Sequence, residues 1–408
     1  MATDVALDTE ALDRLVDLIR VGGTDLAEAT LIIPTEHFTS PERLTREIAL
    51  LRSRPLVVGH LSDVPEPSSF FTRTVLGIPL LVVRQKDGSV AAFRNMCRHR
   101  GGRVEQAESG RKGLFMCQYH GWSYAAEGGA LKAVPYEETA GGIDRGCNGL
   151  IRFPCAVRHG LVFVTLTEDA PIDLPGFIGA GIDTQIAPWN LDSATVLMEH
   201  WIPLEVNWKL VMDGSIDSLH AQFLHPKPGG VGSRTVNHSA VFREFGAHGK
   251  MFMARAKLKR MLDAGEEIDA TSRYVGTVMS LYPNNVLVEA PDHIELWSVW
   301  PDIADPGRCT VRIRFMVRPE IMSPEMAERI TKSWDILRQA GMEEDFPMEA
   351  WIQENAAAWP GGTFRYGSNE KSAQHLHRQL HRDIDGGIVG EGTISFVAQD
   401  LHQSIKQA

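Results

Sequence analysis

The sequence contains no apolar run that approaches the ~20 residues a helix needs to cross a bilayer, so no membrane segment is expected. Basic residues are in the minority: 41 Lys and Arg against 52 Asp and Glu leave a net charge of −11. Such a chain is repelled by phosphate backbones and anionic lipid, which argues against nucleic acid and membrane partners. Cysteine is scarce and odd in number, five in 408 residues. A disulfide framework needs pairs of cysteines and an exported chain. The opening MATDVALDTEALDRLVDLIR is acidic and amphipathic, the wrong pattern for a signal or transit peptide. A cytoplasmic location with reduced or metal-bound thiols is therefore expected. No G-x-G-x-x-G follows a strand, so a flavin or nicotinamide fingerprint is missing. The glycine-rich KPGGVGS at 227–233 lacks a Lys-Ser/Thr pair, which argues for a loop bordering a pocket instead of a phosphate loop.

What is present is an ordinary globular composition, 43% hydrophobic and 23% charged, in a length that suits two domains. Leu12, Leu15, Val16 and Ile19 form one stripe, so residues 8–20 read as a helix. Residues 40–53 read as a second helix, with Ser40 as N-cap and Pro41 in the first turn. Strands are expected at 56–61, 78–83, 89–93 and 160–166, with Lys86-Asp87-Gly88 as a hairpin turn. The reading is a helical segment at 1–44, a small β-rich domain at 45–165 and a larger domain at 166–408. Residues 170–188, rich in Pro and Gly, read as a linker or loop. Further strands are expected at 197–203, 295–300 and 310–317, the last two joined by Ala304-Asp305-Pro306-Gly307. Val311, Ile313, Phe315 and Val317 share the face that covers a core. Arg312 and Arg314 share the other, left for solvent or another chain. Helices are expected at 324–338 and 369–384. His375, His377 and His381 in the last helix point to different sides of it, which reads as a surface or subunit contact and not a metal site.

The strongest chemical signal lies in the small domain. Cys97-Arg98-His99 is followed after a 17-residue gap by Cys117-Gln118-Tyr119-His120-Gly121-Trp122. A zinc site of two Cys and two His usually groups like ligands together. Here each loop offers one of each, the mixed set of a two-iron cluster with thiolates on one iron and imidazoles on the other. Cys147, Cys155 and Cys309 have no such neighbours and read as core or surface thiols.

The second signal is the helix-like stretch 207–226, NWKLVMDGSIDSLHAQFLHP. Asp213, Asp217 and His220 would share one face of an ideal helix. His225 follows five residues after His220, which turns a regular helix through about 500° and sets the imidazoles roughly 140° apart. They can meet on one metal only where the helix tightens or breaks near His225, and Pro226 supplies a reason to break.

C-x-H, the gap and C-x-x-H-G-W resemble Rieske [2Fe-2S] domains. N-W-K followed by D-x-x-x-D-x-x-H-x-x-x-x-H resembles the mononuclear-iron motif of Rieske non-haem iron oxygenases, the aromatic-ring-hydroxylating dioxygenase α subunits. The resemblance covers roughly residues 45–385. It implies an α+β chain: a small all-β Rieske domain plus a larger catalytic domain with a curved antiparallel sheet flanked by helices. Cys97, His99, Cys117 and His120 would hold the [2Fe-2S] cluster. His220 and His225 would hold a mononuclear Fe(II), whose third ligand in the family is a late carboxylate with Gln eight residues on. Asp345 and Gln353 match that spacing; Glu349 and Glu354 are the competitors. Asp217 would bridge the two centres between subunits, or simply orient His220. Many members carry Asn six or seven residues before the first iron-binding His, where this chain has Gly214, which would leave space near the iron.

The implied function is a terminal oxygenase that uses O2 to hydroxylate a hydrophobic aromatic compound, by cis-dihydroxylation or monooxygenation. Oxidative N- or O-demethylation of an aryl compound is the alternative with the same metals. An electron-transfer Rieske protein without an oxygenase site is the alternative of another class. Implied partners are a small aromatic substrate, a separate reductase passing NAD(P)H electrons directly or through a ferredoxin, and further copies of the chain in a homotrimer, with or without a small β subunit.

Overall fold

The computed structural model describes residues 8–168, 171–227, 235–268, 274–387 and 393–398. The chain divides into two compact units, Ile48–Thr195 and a larger one formed by Met1–Glu47 with Val196–Ala408.

The smaller unit is built from three antiparallel sheets. The five-stranded one runs Arg152–Phe153, Val90–Arg94, Ile78–Arg84, Ser69–Val75, Ser109–Arg111. Its central strand carries the run Leu80-Leu81-Val82-Val83, each residue 0% exposed, because both faces of the strand are covered. The expected hairpin closes with Gly88 N–H donating to Gln85 O and Asp87 Oδ1 accepting from Ser89 N–H, with Gly88 at φ +84°. A three-stranded sheet, Leu114–Met116, Ser123–Ala125, Leu131–Ala133, carries one of the two Cys/His loops in its first turn. Phe70, Phe93 and Phe115 share one core with Cys97, Cys117 and Trp122, so the thiols sit on the hydrophobic floor of the sheets. The stretch expected as a linker is instead a helix, Leu174–Ile186, capped by Asp173 on Gly176 N–H and kinked at Gly179. Leu174, Ile178, Ile182 and Ile186 recur every four residues and are buried, and that periodicity outweighs the Pro and Gly content.

The larger unit is a seven-stranded open antiparallel sheet. Its order is Thr195–Leu204, Cys309–Val317, Ile294–Pro301, Asn285–Glu289, Val275–Leu281, His248–Arg255, Thr235–Phe245. The helix Trp208–Ile216 packs on three of its inner strands, Val275–Leu281, Asn285–Glu289 and Ile294–Pro301. The N-terminal segment is not a separate helical piece. Helix Thr9–Val21 buries Leu12, Leu15 and Ile19 against Val241, Phe252 and Leu258 of this unit. Ala29–Pro34 is a strand between Thr363–Tyr366 and Ser395–Ala398. Helix Pro41–Ser53 starts with Ser40 Oγ accepting from Arg43 N–H, as expected.

A buried charge network fixes the site helix. Glu47, 0% exposed, accepts from Lys209 Nζ at 2.7 Å, Trp208 Nε1 at 2.7 Å and Arg43 Nε at 3.1 Å. Arg43 also holds Asp385 at 2.6 Å in the helix Lys371–Asp385. Breaking a buried set of this kind leaves an unpaired charge and costs about 3–5 kcal/mol. Arg312 and Arg314, expected to face solvent or another chain, are each 2% exposed. Glu199 Oε2, on the neighbouring strand, accepts from both at 2.7 and 2.8 Å, and the Arg312 guanidinium lies over the Trp201 ring. The alternation holds, but on the second face the Glu199 and Trp201 side chains of that edge strand meet the arginines.

Candidate functional site

The two Cys/His loops repeat one backbone pattern. Gly101 N–H donates to Cys97 O, and Gly121 N–H to Cys117 O. Cys97 N–H donates to Gly102 O, and Cys117 N–H to Trp122 O. The turn closes through Gly101 at φ +77° and Gly121 at φ +71°, a conformation that other L-residues rarely take. The two free thiols are buried, 2% and 3% exposed, and close enough to hydrogen-bond each other. The His99 and His120 rings lie 4.6 Å apart, and His99 stacks on Trp122 at 5.1 Å. So thiol meets thiol and imidazole meets imidazole. Among the described residues these four do not converge on one point as the His220 group below does, which suits two metal positions better than one tetrahedral zinc. Tyr124, which no motif reading flagged, accepts from Arg98 N–H at 2.9 Å and stands 3.3 Å from Cys97 Sγ. A hydrogen bond to a ligand sulfur raises a cluster's potential.

In the larger unit the helix expected over 207–226 is broken twice. Trp208–Ile216 ends at Asp217, which has extended φ/ψ of −93° and 131°. A single turn, Ala221–Leu224, follows and ends at His225. The first break comes earlier than expected because Asp217 competes with the helix for donors. Its Oδ1 accepts from Leu219 N–H at 2.7 Å and its Oδ2 from His220 N–H at 3.2 Å. Asp213 therefore does not share a face with His220. It turns to Tyr366 OH at 2.6 Å and His377 Nε2 at 2.9 Å.

The broken backbone brings His220 and His225 within a ring-centroid distance of 5.3 Å. Asp345 arrives from the far end of the chain. Its Oδ1 lies 3.0 Å from His225 Nε2 and 3.6 Å from His220 Nε2. Ligand atoms of these three all lie within 4.8 Å of one another. Asp345 closes a π-helical turn, Gly341–Asp345, set between the helices Met326–Ala340 and Phe346–Ala358. Such single wide turns recur at functional sites. The same turn supplies Glu344, whose Oε2 is 2.6 Å from His225 Nδ1. Asp217 Oδ2 takes the equivalent place 3.0 Å from His220 Nδ1. Both imidazoles are thus held at Nδ1 by a carboxylate and present Nε2 to the centre, the usual preparation of a metal-binding histidine. Burial works against charging His225, but Asp345 and Glu344 outweigh it and raise its pKa. Two imidazoles and one carboxylate whose ligand atoms gather at one centre suit a mononuclear iron.

Of the competitors, Glu354 is exposed. Glu349 is buried and fills the room left by Gly214: a Cβ there would stand 2.4 Å from Glu349 Oε1. The expected open space at Gly214 is therefore occupied. The three late histidines are not on the surface; His375, His377 and His381 are 6%, 3% and 4% exposed. Each faces a carboxylate, of Glu244, Asp213 and Asp385 respectively. Residues 228–233 of the glycine-rich loop lie outside the described residues. Glu344 was written in the sequence as the acid beside Asp345, but nothing local shows that neighbouring acids clamp opposite edges of one ring.

The family described as Rieske [2Fe-2S] domain matches residues 54–154, and that described as ring hydroxylating alpha subunit (catalytic domain) matches residues 187–386. The glycine betaine monooxygenase oxygenase subunit of Chromohalobacter salexigens is 30% identical over 227 residues, 54% of this chain and 50% of that protein. Chlorobenzene dioxygenase subunit alpha of a Cupriavidus species is 33% identical over 172 residues, 41% of this chain and 38% of that one. The chain thus spans half or less of the length of these curated relatives. The solved quaternary ammonium Rieske monooxygenase CntA shares the fold with a TM-score of 0.72 at 17% identity, covering 93% of this chain and 100% of that one. No described helix is long and apolar enough to cross a membrane. Two matched domains in this order, over a paired thiol and imidazole site and a separate two-histidine, one-carboxylate site, make the chain a member of the Rieske non-haem iron oxygenases, with a Rieske [2Fe-2S] cluster and a mononuclear iron as its cofactors.

Proposed function

We propose that this chain is the terminal oxygenase of a multi-protein system that oxidises an N-methyl group of a quaternary ammonium compound, with Cys97, His99, Cys117 and His120 holding the cluster and His220, His225 and Asp345 the mononuclear iron. The observation that carries the substrate class is the glycine betaine monooxygenase likeness, which extends over 54% of the chain. Charge supports it. A trimethylammonium group is cationic and has no N–H to donate, so aromatic faces and carboxylates recognise it. Asp217, Glu344 and Asp345 stand against His220 and His225, with Lys227 as the cation that meets Glu344, an acidic surplus that suits a cation.

The cluster supplies single-electron transfer and the iron supplies reductive activation of O2. Asp217 and Glu344 fix the two imidazoles in the tautomer that leaves Nε2 free. Asp217 is part-exposed at the break in the helix and has lone pairs to spare. In a head-to-tail assembly of this chain it would accept a second imidazole N–H, from the partner subunit's His120, and link the two centres. Hydroxylation of an N-methyl carbon takes O2, two electrons and two protons and releases water; the N-hydroxymethyl product then loses formaldehyde. The electrons come from a separate reductase, directly or through a ferredoxin, because the sequence has no nicotinamide or flavin fingerprint.

Arene hydroxylation is the second reading, favoured by the chlorobenzene dioxygenase likeness. Mass spectrometry under 18O2 with a surrogate reductase separates the two. Betaine-type cations are expected to release formaldehyde stoichiometric with O2 uptake. A diol carrying two labelled oxygens from a neutral arene, with no turnover of cations, would replace the first reading by the second.

A further inference from the structure

Asp345, Glu349 and Gln353 follow one another at four-residue steps and share one face. That face meets the helix Trp208–Ile216 and the residue before it. At one end Gln353 Oε1 accepts from Asn207 N–H at 3.1 Å and its Nε2 donates to Phe38 O at 3.2 Å. At the other end Asp345 faces His220 and His225. Between them Glu349 is 7% exposed, and its Oε2 is buried with no hydrogen-bond partner among the described residues. The carboxyl presses on Gly214, which lies within a regular helix, so space and not backbone conformation calls for glycine there. Glycine in a helix costs about 1 kcal/mol relative to alanine, and a buried carboxyl without a partner costs more. Both costs fall beside the candidate metal site, and no group among the described residues offsets them.

We propose that Glu349 belongs to the mononuclear iron site, as a carboxyl whose partner is the bound metal ion or a water it carries, and that Gly214 is the residue that admits it. Burial, then the negative charges of Asp345 and Asp213, raise its pKa well above the carboxylate range. The inference rests on His220, His225 and Asp345 being the ligands.

The test uses full-length protein stripped of its mononuclear metal by a mild chelator and titrated with Co(II), read by its d–d bands and Kd. Glu349→Gln should weaken Co(II) binding 10–100-fold and shift the bands, with the cluster spectrum unchanged. The metal-free variant should melt no lower than the parent, because the amide keeps the size of the carboxyl and Glu349 Oε2 has no partner among the described residues to lose. Gly214→Ala should weaken Co(II) binding with every carboxyl present, yet add nothing in a Glu349→Ala background. His225→Ala should abolish binding. Parental affinity and bands in Glu349→Gln, with binding lost in His225→Ala, would overturn the inference and leave the ligand assignment standing. Parental binding in both would overturn the assignment itself.

Discussion

At the residue scale the site is a set of atoms aimed by their neighbours. His220 and His225 each spend Nδ1 on a carboxylate and keep Nε2 for the centre. Replacing either histidine, or Asp345, by Ala is expected to remove one of about three irons per chain and leave the cluster's EPR signal intact. Loss of that iron in Glu354→Ala instead would move the ligand assignment. Asp217→Asn preserves size and an acceptor for His220 Nδ1, so both metals should stay. The amide makes a weaker bridge between two imidazoles, so cluster reoxidation in a single turnover should slow roughly 10–100-fold. Reoxidation at the parental rate with full product yield would leave Asp217 only the task of orienting His220.

At the element scale the site depends on two helices held in register. Gln353 joins Phe346–Ala358 to the start of Trp208–Ile216 through a buried amide. Gln353→Leu strands Asn207 N–H, while Phe38 O keeps Asn207 Nδ2 as a donor, and should lower stability by about 1–3 kcal/mol in urea unfolding while loosening the mononuclear metal and not the cluster. On the sheet, burial works to raise the Glu199 pKa, but Arg312 and Arg314 outweigh it and hold the carboxyl at about 2, against an ordinary 4.5. A depressed carboxyl adds stability that is complete above the unfolded value and lost as pH falls through the folded one. Glu199→Gln should therefore cost about 3 kcal/mol at neutral pH. The gap to the parent should close between pH 4.5 and about 2. A gap of constant size across that window would show that the pair is not ionised as described.

At the scale of the whole molecule the candidate cluster residues fall in one compact unit and the candidate iron residues in the other. If electrons pass between copies, a cluster-defective His99→Ala chain and an iron-defective His220→Ala chain should be inactive alone and recover activity when co-expressed. In particles that contain both chains the recovered activity should be a sizeable fraction of the parent's. No recovery, in particles shown by mass to contain both chains, would place electron flow within one copy.

The sequence by itself determined the pattern of the candidate sites. The candidate ligand types and spacings at Cys97–His99, Cys117–His120 and His220–His225 are local, and so are the hairpin at Gly88, the cap at Ser40 and the alternation through Val311–Val317. Proline, glycine and alternation act over a few residues, which is why they can be read there. The tertiary structure alone decided which groups meet across the chain. Glu344 closes on His225 from 119 positions away and Asp213 on His377 from 164. Arg312 lies beneath Glu199, Glu349 fills the space above Gly214, and residues 174–186 coil because four isoleucine and leucine side chains find a core. Such pairings are set by packing and by the need to satisfy buried polar groups, and a carboxylate's neighbours in sequence carry no trace of the imidazole it will hold.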